Sequence, residues 1–309
     1  MKHISVLLDE AISYLDIKSD GIYVDCTLGG GGHSYEILKR LDTGHLYAFD
    51  QDDFAVEKAS KKLDTLNKNY TIIRKNFVYI KDALNNLGIE KVDGILYDLG
   101  VSSFHFDDPE RGFSYNYDAE LDMRMDTRQS LTAKEIVNTY DYHELVKILY
   151  RYADESFAKQ IARKIEARRK DASIETTFEL VDVIKDALPQ KVLKKKGHPA
   201  KKTFQALRIA VNDELQVFEK SLTQAFDLLN TGGRIVVISF HSLEDRIAKS
   251  LMKEKVTSDI PKDVPLLPHE IKEDIDFKLV TKKVIRPSKE ELEHNNRAHS
   301  AKLRAIKKI

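Results

Sequence analysis

The sequence predicts an α/β fold in which a parallel sheet, covered by helices on both faces, is interrupted by an all-helical insertion. Three observations carry this. Short apolar segments alternate with helical patterns over roughly the first 100 residues, the rhythm of βαβ units. From Arg111 to Lys202 only polar loops and helical patterns occur. From Lys202 onward the strand-and-helix rhythm returns.

Taken in order, Ile22–Cys26 reads as a strand bounded by Gly21 and a run of glycines, and Ser34–Leu41 as a helix with Ile37, Leu38 and Leu41 on one face. His45–Phe49 and Tyr70–Arg74 are strands separated by a helix over Ala55–Leu66. Val78–Leu87 is a helix stopped by Gly88, and Val92–Tyr97 a fourth strand ending at Asp98. Continuously apolar strands of this kind are buried on both faces, as in parallel sheets. The insertion holds helical patterns at 133–138, 143–150, 157–169 and 178–188, punctuated by Pro189 and Pro199. Phe204–Leu229 is one long helix or two, with Phe204, Leu207, Val211, Leu215 and Phe218 on one stripe. Gly232-Gly233 turns into a strand over Arg234–Phe240, followed by a helix over Leu243–Met252. Asp259–Asp276 reads as a loop, and Phe277–Ile285 with Ala301–Ile306 as a terminal antiparallel pair. The expected boundaries are therefore 1–110, 111–202 and 203–309, the first and last forming one domain.

The bulk numbers exclude several classes. Fifty basic and 50 acidic residues give no net charge, which argues against a histone-like binder but leaves room for local patches. The insertion is such a place, with 19 Lys/Arg against 15 Asp/Glu. A single cysteine, Cys26, excludes a disulfide framework and a cysteine-based zinc site, and no metal is expected. The first residues lack a signal-peptide core, and no apolar run would span a bilayer, so a cytoplasmic protein without membrane contact is expected.

The most informative motif is Asp25-Cys26-Thr27-Leu28-Gly29-Gly30-Gly31-Gly32-His33, between a strand and a helix. Glycines there let the backbone approach a ligand closely and take positive φ, and the following helix start offers free N–H groups. A dinucleotide fingerprint wants a further glycine three residues on, where Ser34 or Tyr35 stands. Asp25 beside the turn would oppose a pyrophosphate but suits a cationic sulfonium ligand. Asp50 ends the next strand 19 residues after Gly31, close to the spacing of about 20 at which an acid takes ribose hydroxyls. These residues favour S-adenosylmethionine over NAD. Phe77, after the third strand, either stacks on adenine or packs between helix and sheet.

Asp98-Leu99-Gly100-Val101-Ser102-Ser103 ends the fourth strand, on the edge where ligands of open α/β sheets lie. Asp98 is either a turn acid or an acceptor that aligns an amine with the methyl group. Methylation of a base carbon generally needs an attacking cysteine, and Cys26 lies inside a strand. Transfer to nitrogen or oxygen needs none. The serines lack the strained nucleophile elbow of hydrolases.

Several further segments join these motifs: His3–Ala11, Asp93–Ser103, Glu110–Ser114, Leu121–Asp126, His198–Ala200 with Thr203–Ile209, Ser239–Arg246 and Asn296–Arg304. With them the chain resembles, almost end to end, the bacterial 16S rRNA (cytosine-N4)-methyltransferases. The resemblance implies a Rossmann-like class I S-adenosylmethionine-dependent fold with a helical insertion. It implies N4 methylation of a cytidine in the decoding region of 16S rRNA within the small ribosomal subunit. It implies donor contacts at Gly31, Gly32, His33, Asp50, Phe77, Asp98 and His105. Many members carry glutamine in place of His105, and the Pro-Pro-Tyr/Phe loop of DNA amino-methyltransferases is replaced by Leu99-Gly100-Val101. The rivals are a non-catalytic ribosome-assembly RNA-binding factor and an NAD-dependent oxidoreductase.

A target base must leave its stack to meet the methyl group; Phe113, Tyr115 and Tyr117 are candidates to sandwich it, or one or two of them pack in a core. Arg111, Arg124, Lys201, Lys202 and Arg208 are candidates to neutralise phosphates. His241 is a further substrate-contact candidate, beside Ser242 and Asp245, which read as a helix capping box.

Overall fold

The structure is a computed structural model that describes residues 5–66, 68–101, 109–257 and 275–309. It divides into two compact units, Met1–Gly100 with Leu215–Ile309, and Val101–Glu214.

The first unit is a seven-stranded sheet: β1 Ile22–Asp25, β2 His45–Phe49, β3 Tyr70–Ile73, β4 Val92–Asp98, β5 Leu229–Ser239, β6 Phe277–Leu279 and β7 Lys302–Lys308. Its order is β3-β2-β1-β4-β5-β7-β6. β1 to β5 are parallel, whereas β7 is antiparallel to β5, and β6 to β7. The chain winds outward from β1 to β3, then restarts at β4 on the other side of β1. That reversal is a topological switch point, and it opens a crevice outside the carboxyl ends of β1 and β4.

Both faces of the sheet are buried, because side chains alternate along each strand. Tyr23 and Leu96 point to one face, which carries α1 Leu8–Leu15, α2 Gly32–Arg40 and α3 Asp53–Leu63 through Leu15, Ile37 and Val56. Val24 and Tyr97 point to the other, where α4 Ile80–Asn85 contributes Leu84.

The second unit is helical: α5 Ala133–Thr139, α6 Tyr142–Ala153, α7 Ala158–Asp171, α8 Thr177–Ala187, α9 Gln190–Leu193 and α10 Lys201–Asn212. Asp141 with Glu144 and Thr176 with Glu179 form capping boxes that start α6 and α8. Leu121, Ile136, Leu149, Ile161, Leu180 and Leu207 meet in its core. The chain then returns to the sheet through α11 Glu214–Leu228 and α12 Ser242–Lys255, which place Phe218 and Met252 on the Val24 and Tyr97 face.

The structure differs from the sequence expectation in several places. The helical unit runs from 101 to 214, wider than 111–202. Phe204, Leu207 and Val211 bury in the insertion's own core, and an apolar stripe does not reveal which core it serves. Of the two alternatives for 204–229, one long helix or two, the structure has two, broken at Asp213, which takes the left-handed φ of 48°. β5 starts at Leu229, and Gly232 (φ 86°) lies within it, where the register against β4 shifts between Val92 and Gly94. α1 had no sequence expectation, because its eight residues are too short for a clear period. The expected loop at 259–276 lies almost wholly outside the described residues.

Gly94 lets β4 pass Tyr23. A Cβ there would lie 2.7 Å from two carbons of the Tyr23 ring and 3.0 Å from Leu15 Cδ1. Gly94→Ala is expected to lower the urea unfolding midpoint, by about 1–3 kcal/mol of stability. An unchanged midpoint would mean that Tyr23 moves aside at no cost.

Candidate active site

The Gly-rich turn leads from β1 into α2. Gly29 and Gly31 have φ of 48° and 69°. At Gly31 an added Cβ would also lie 3.1 Å from Ala59 Cβ, so glycine is needed both for conformation and for the close approach of α3. Asp25 organises the turn from beneath. It is 1% exposed. Its Oδ1 accepts the Thr27 N–H (3.0 Å) and hydroxyl (3.3 Å), and its Oδ2 accepts the Ser34 hydroxyl (2.7 Å). Burial raises its pKa, and the hydrogen bonds from Ser34 and Thr27 oppose that rise. The Thr27 oxygen also accepts the Asp98 N–H at 2.7 Å, which ties the end of β1 to the end of β4.

Asp50 closes β2. Its Oδ2 accepts the Gly29 N–H at 2.8 Å and its Oδ1 the Asp52 N–H at 2.9 Å.

Asp98 is different. Its Oδ1 is buried and has no hydrogen-bond partner among the described residues. Its Oδ2 lies 3.4 Å from His33 Nδ1. Burial, and then the charges of Asp25 and Glu244, push its pKa well above the usual carboxylate range. The His33 ring is buried, with Nε2 3.2 Å from the Val6 carbonyl. A carbonyl only accepts, so Nε2 carries a hydrogen and a neutral ring turns an acceptor Nδ1 toward Asp98. One proton therefore belongs between the two groups, on Asp98 or on His33.

Phe77 starts a 3₁₀ turn after β3 and meets Tyr97 edge-on at 5.8 Å, half-buried. It packs against the sheet's core cluster. The Cys26 thiol is buried and its pKa is pushed up, which removes it as a nucleophile. His105 lies outside the described residues, as do Ser102 and Ser103.

The residues expected to meet RNA fare unevenly. Phe113 is 3% exposed in the core of the helical unit, so its ring has no open face for a base. Tyr115 stacks on His198 at 4.2 Å, and Tyr117 is exposed. Arg111 donates to the Arg124 and Met125 carbonyls. Arg124 grips Asp122 with Nε and Nη2, and Arg208 grips Glu214 in the same way. These three guanidinium groups are engaged within the protein, because planar bidentate pairing suits arginine. Lys202 donates to the Asp154 carbonyl, and Lys201 is exposed. The capping box of α12 sits one residue earlier than expected. His241 is the cap and accepts the Glu244 N–H through Nδ1, while Glu244 accepts the His241 N–H. Asp245 instead binds Arg304 and Lys302 of β7.

The family model of the MraW methylase family matches residues 1–309. The chain belongs to this family. A protein of Exiguobacterium sibiricum named ribosomal RNA small subunit methyltransferase H is 55% identical over 309 residues, covering 100% of this chain and 98% of its own. One of Leuconostoc mesenteroides with the same name is 56% identical over 310 residues, covering 99% of each. Among solved structures, an rRNA methylase from Streptococcus thermophilus aligns at 12% identity and a TM-score of 0.42, over 97% of this chain and 93% of its own.

In this MraW-family chain, Thr27 and Ser34 were not anticipated. The Asp-x-Thr spacing was a readable sign of a local side-chain turn, but the Ser34 contact needed the helix. Ser34→Ala removes a hydrogen bond to a buried carboxylate. It is expected to cost about 1.5–3 kcal/mol of stability, read as a lower denaturation midpoint. A midpoint equal to that of the parent would mean that Thr27 alone holds Asp25.

Proposed function

We propose that this MraW-family chain transfers a methyl group from S-adenosylmethionine to the N4 amine of a cytidine in 16S rRNA, within the small ribosomal subunit. The observation that carries this reading is the buried, unpartnered Oδ1 of Asp98 at the switch point. A buried acceptor without a donor calls for one from a ligand, and an exocyclic amine supplies it. The names of the relatives support the RNA, and the family resemblance supports the cytidine atom. Gly31, Gly32, Asp25, Asp50 and Phe77 fit the donor. The glycine backbone admits it closely, Asp50 ends β2 at the spacing at which an acid takes ribose hydroxyls, Asp25 contributes negative charge from beneath the turn, and Phe77 stands half-buried just after β3. A diphosphate fits poorly among these acids. Among the described residues no helix is long and apolar enough to cross a membrane.

When bound, the donor supplies an electrophilic methyl on a sulfonium and departs as the neutral thioether. Asp98 accepts one N4–H and so turns the nitrogen lone pair toward the methyl carbon. As the N–C bond forms, the nitrogen becomes acidic and Asp98 takes its proton. His33 Nδ1 stands behind Oδ2 to share it. Lys201 and Lys202 carry phosphate contacts in this reading, and His241 borders the substrate.

Purified protein with labelled donor is expected to methylate cytidine N4 in small subunits taken from cells lacking it. Asp98→Asn should slow turnover about 10²–10⁴-fold, with a smaller effect on donor affinity. Subunits that gain no label would sink the catalytic reading.

A pH effect follows from the raised pKa of Asp98. The free protein holds the acid form to higher pH than an ordinary carboxylate, and a nearby sulfonium favours the carboxylate. Binding of the methyl donor should therefore release a proton, and its affinity should rise with pH above the usual carboxylate range. S-adenosylhomocysteine, without the sulfonium, should show a weaker slope. Calorimetry in buffers of different ionisation enthalpy reads this directly, and equal slopes for the two ligands would refute it.

A further inference from the structure

The arginines expected to neutralise phosphates are largely occupied, which raises the question of where the RNA backbone is held. Residues 275–309 hold ten Lys/Arg against four Asp/Glu, in a chain without net charge. They include β6 and β7, the last two strands in the sheet order. Ser239, the last residue of β5, pairs with Lys302, the first of β7. The 3₁₀ turn Asn296–Ser300 just before β7 therefore lies at the carboxyl edge of the sheet, the edge on which Asp98 ends β4. Ile285 bridges Leu303, so Arg286 stands at the same edge. Lys282 and Lys283 stand in the bend between β6 and that bridge, and Lys289 opens the helix Lys289–His294.

Lys282, Lys283, Arg286 and Lys289 are exposed, and no ion pair holds any of them among the described residues. The neighbouring strand shows the contrast: Lys302 and Arg304 of β7 are both bound to Asp245. Of the acids in the segment, Glu291 turns inward to the Leu7 N–H, while Asp276, Glu290 and Glu293 are exposed. From β4 across β5 and β7 to the segment bridged at Ile285 is three strand spacings, about 15 Å. An RNA strand with its target base at Asp98 could follow the sheet edge onto this patch.

We propose that Lys282, Lys283, Arg286 and Lys289 form a docking surface for the phosphodiester backbone that flanks the target nucleotide. This rests on the RNA-methyltransferase reading above. Charged residues beside the outer edge of a sheet also keep it from pairing with another chain, so the test must separate the two roles.

The test compares the parent with K282Q/K283Q/R286Q, using small subunits from cells lacking the protein. Binding is measured from 50 to 200 mM salt, and methylation kinetics at fixed donor. The variant should lose about 2–3 from the slope of log affinity against log salt. Its KM for subunits should rise about tenfold or more at moderate salt, with kcat and donor affinity kept. K289Q alone should lower the slope by about one. An unchanged KM and salt slope would overturn the surface, and self-association of the variant on top of that would assign the lysines to edge protection. A parent that adds no methyl to the subunits would instead fail the underlying functional reading.

Discussion

A carboxylate with almost no access to water sits at the root of the site. Asp25 bonds forward to Thr27 and across to Ser34 on α2, so both arms of the Gly-rich turn hang from one side chain. Thr27 passes the connection on to the backbone of Asp98. The ends of β1 and β4, the two strands between which the winding reverses, are thus held by a continuous set of hydrogen bonds. Burying a charge is costly unless hydrogen bonds replace its water, and three local donors do so here. The positive φ of Gly29 and Gly31, the start of α2 and the height of Asp98 all inherit their positions from this set.

The three acids of the site differ in what their oxygens already meet. Asp25 bonds to Thr27 and Ser34 within the turn. Asp50 binds the backbone N–H groups of Gly29 and Asp52. Asp98 has one oxygen facing His33 and the other without a donor among the described residues, which is why the proposed reading gives it the substrate amine. Burial, and then the charges of Asp25 and Glu244, raise the pKa of Asp98 well above the usual carboxylate range. A cationic donor relieves that repulsion on arrival, whereas a neutral product does not. The same electrostatics that admits the donor therefore helps release what remains of it.

The sequence revealed much of this and missed some of it for physical reasons. β1 to β4 were legible because each is a short apolar run between turn residues, and Asp50 and Asp98 were legible because they end such runs. The Gly-rich turn stood out because no ordinary turn needs four glycines. What the sequence could not show was partnership. Arg111, Arg124 and Arg208 read as phosphate contacts until Asp122, Glu214 and two carbonyls are seen beside them. Phe113 read as a base platform because an aromatic near a loop looks the same whether it faces water or core. The division of the 204–229 pattern hinges on one residue, Asp213, in a left-handed conformation that no periodicity reports. The place of β7 between β5 and β6 is a long-range pairing, which is the information local sequence carries least well.

That place of β7 has a consequence in time. β5 is complete at Ser239, but the strand that covers its free edge begins at Lys302. A ribosome making the chain must add about 60 more residues in between, which at 5–20 residues per second takes roughly 3–12 s. Throughout that interval the nascent sheet carries an open apolar edge, the kind that recruits stray strands. The newborn protein is at its most vulnerable just before synthesis reaches the segment that covers it.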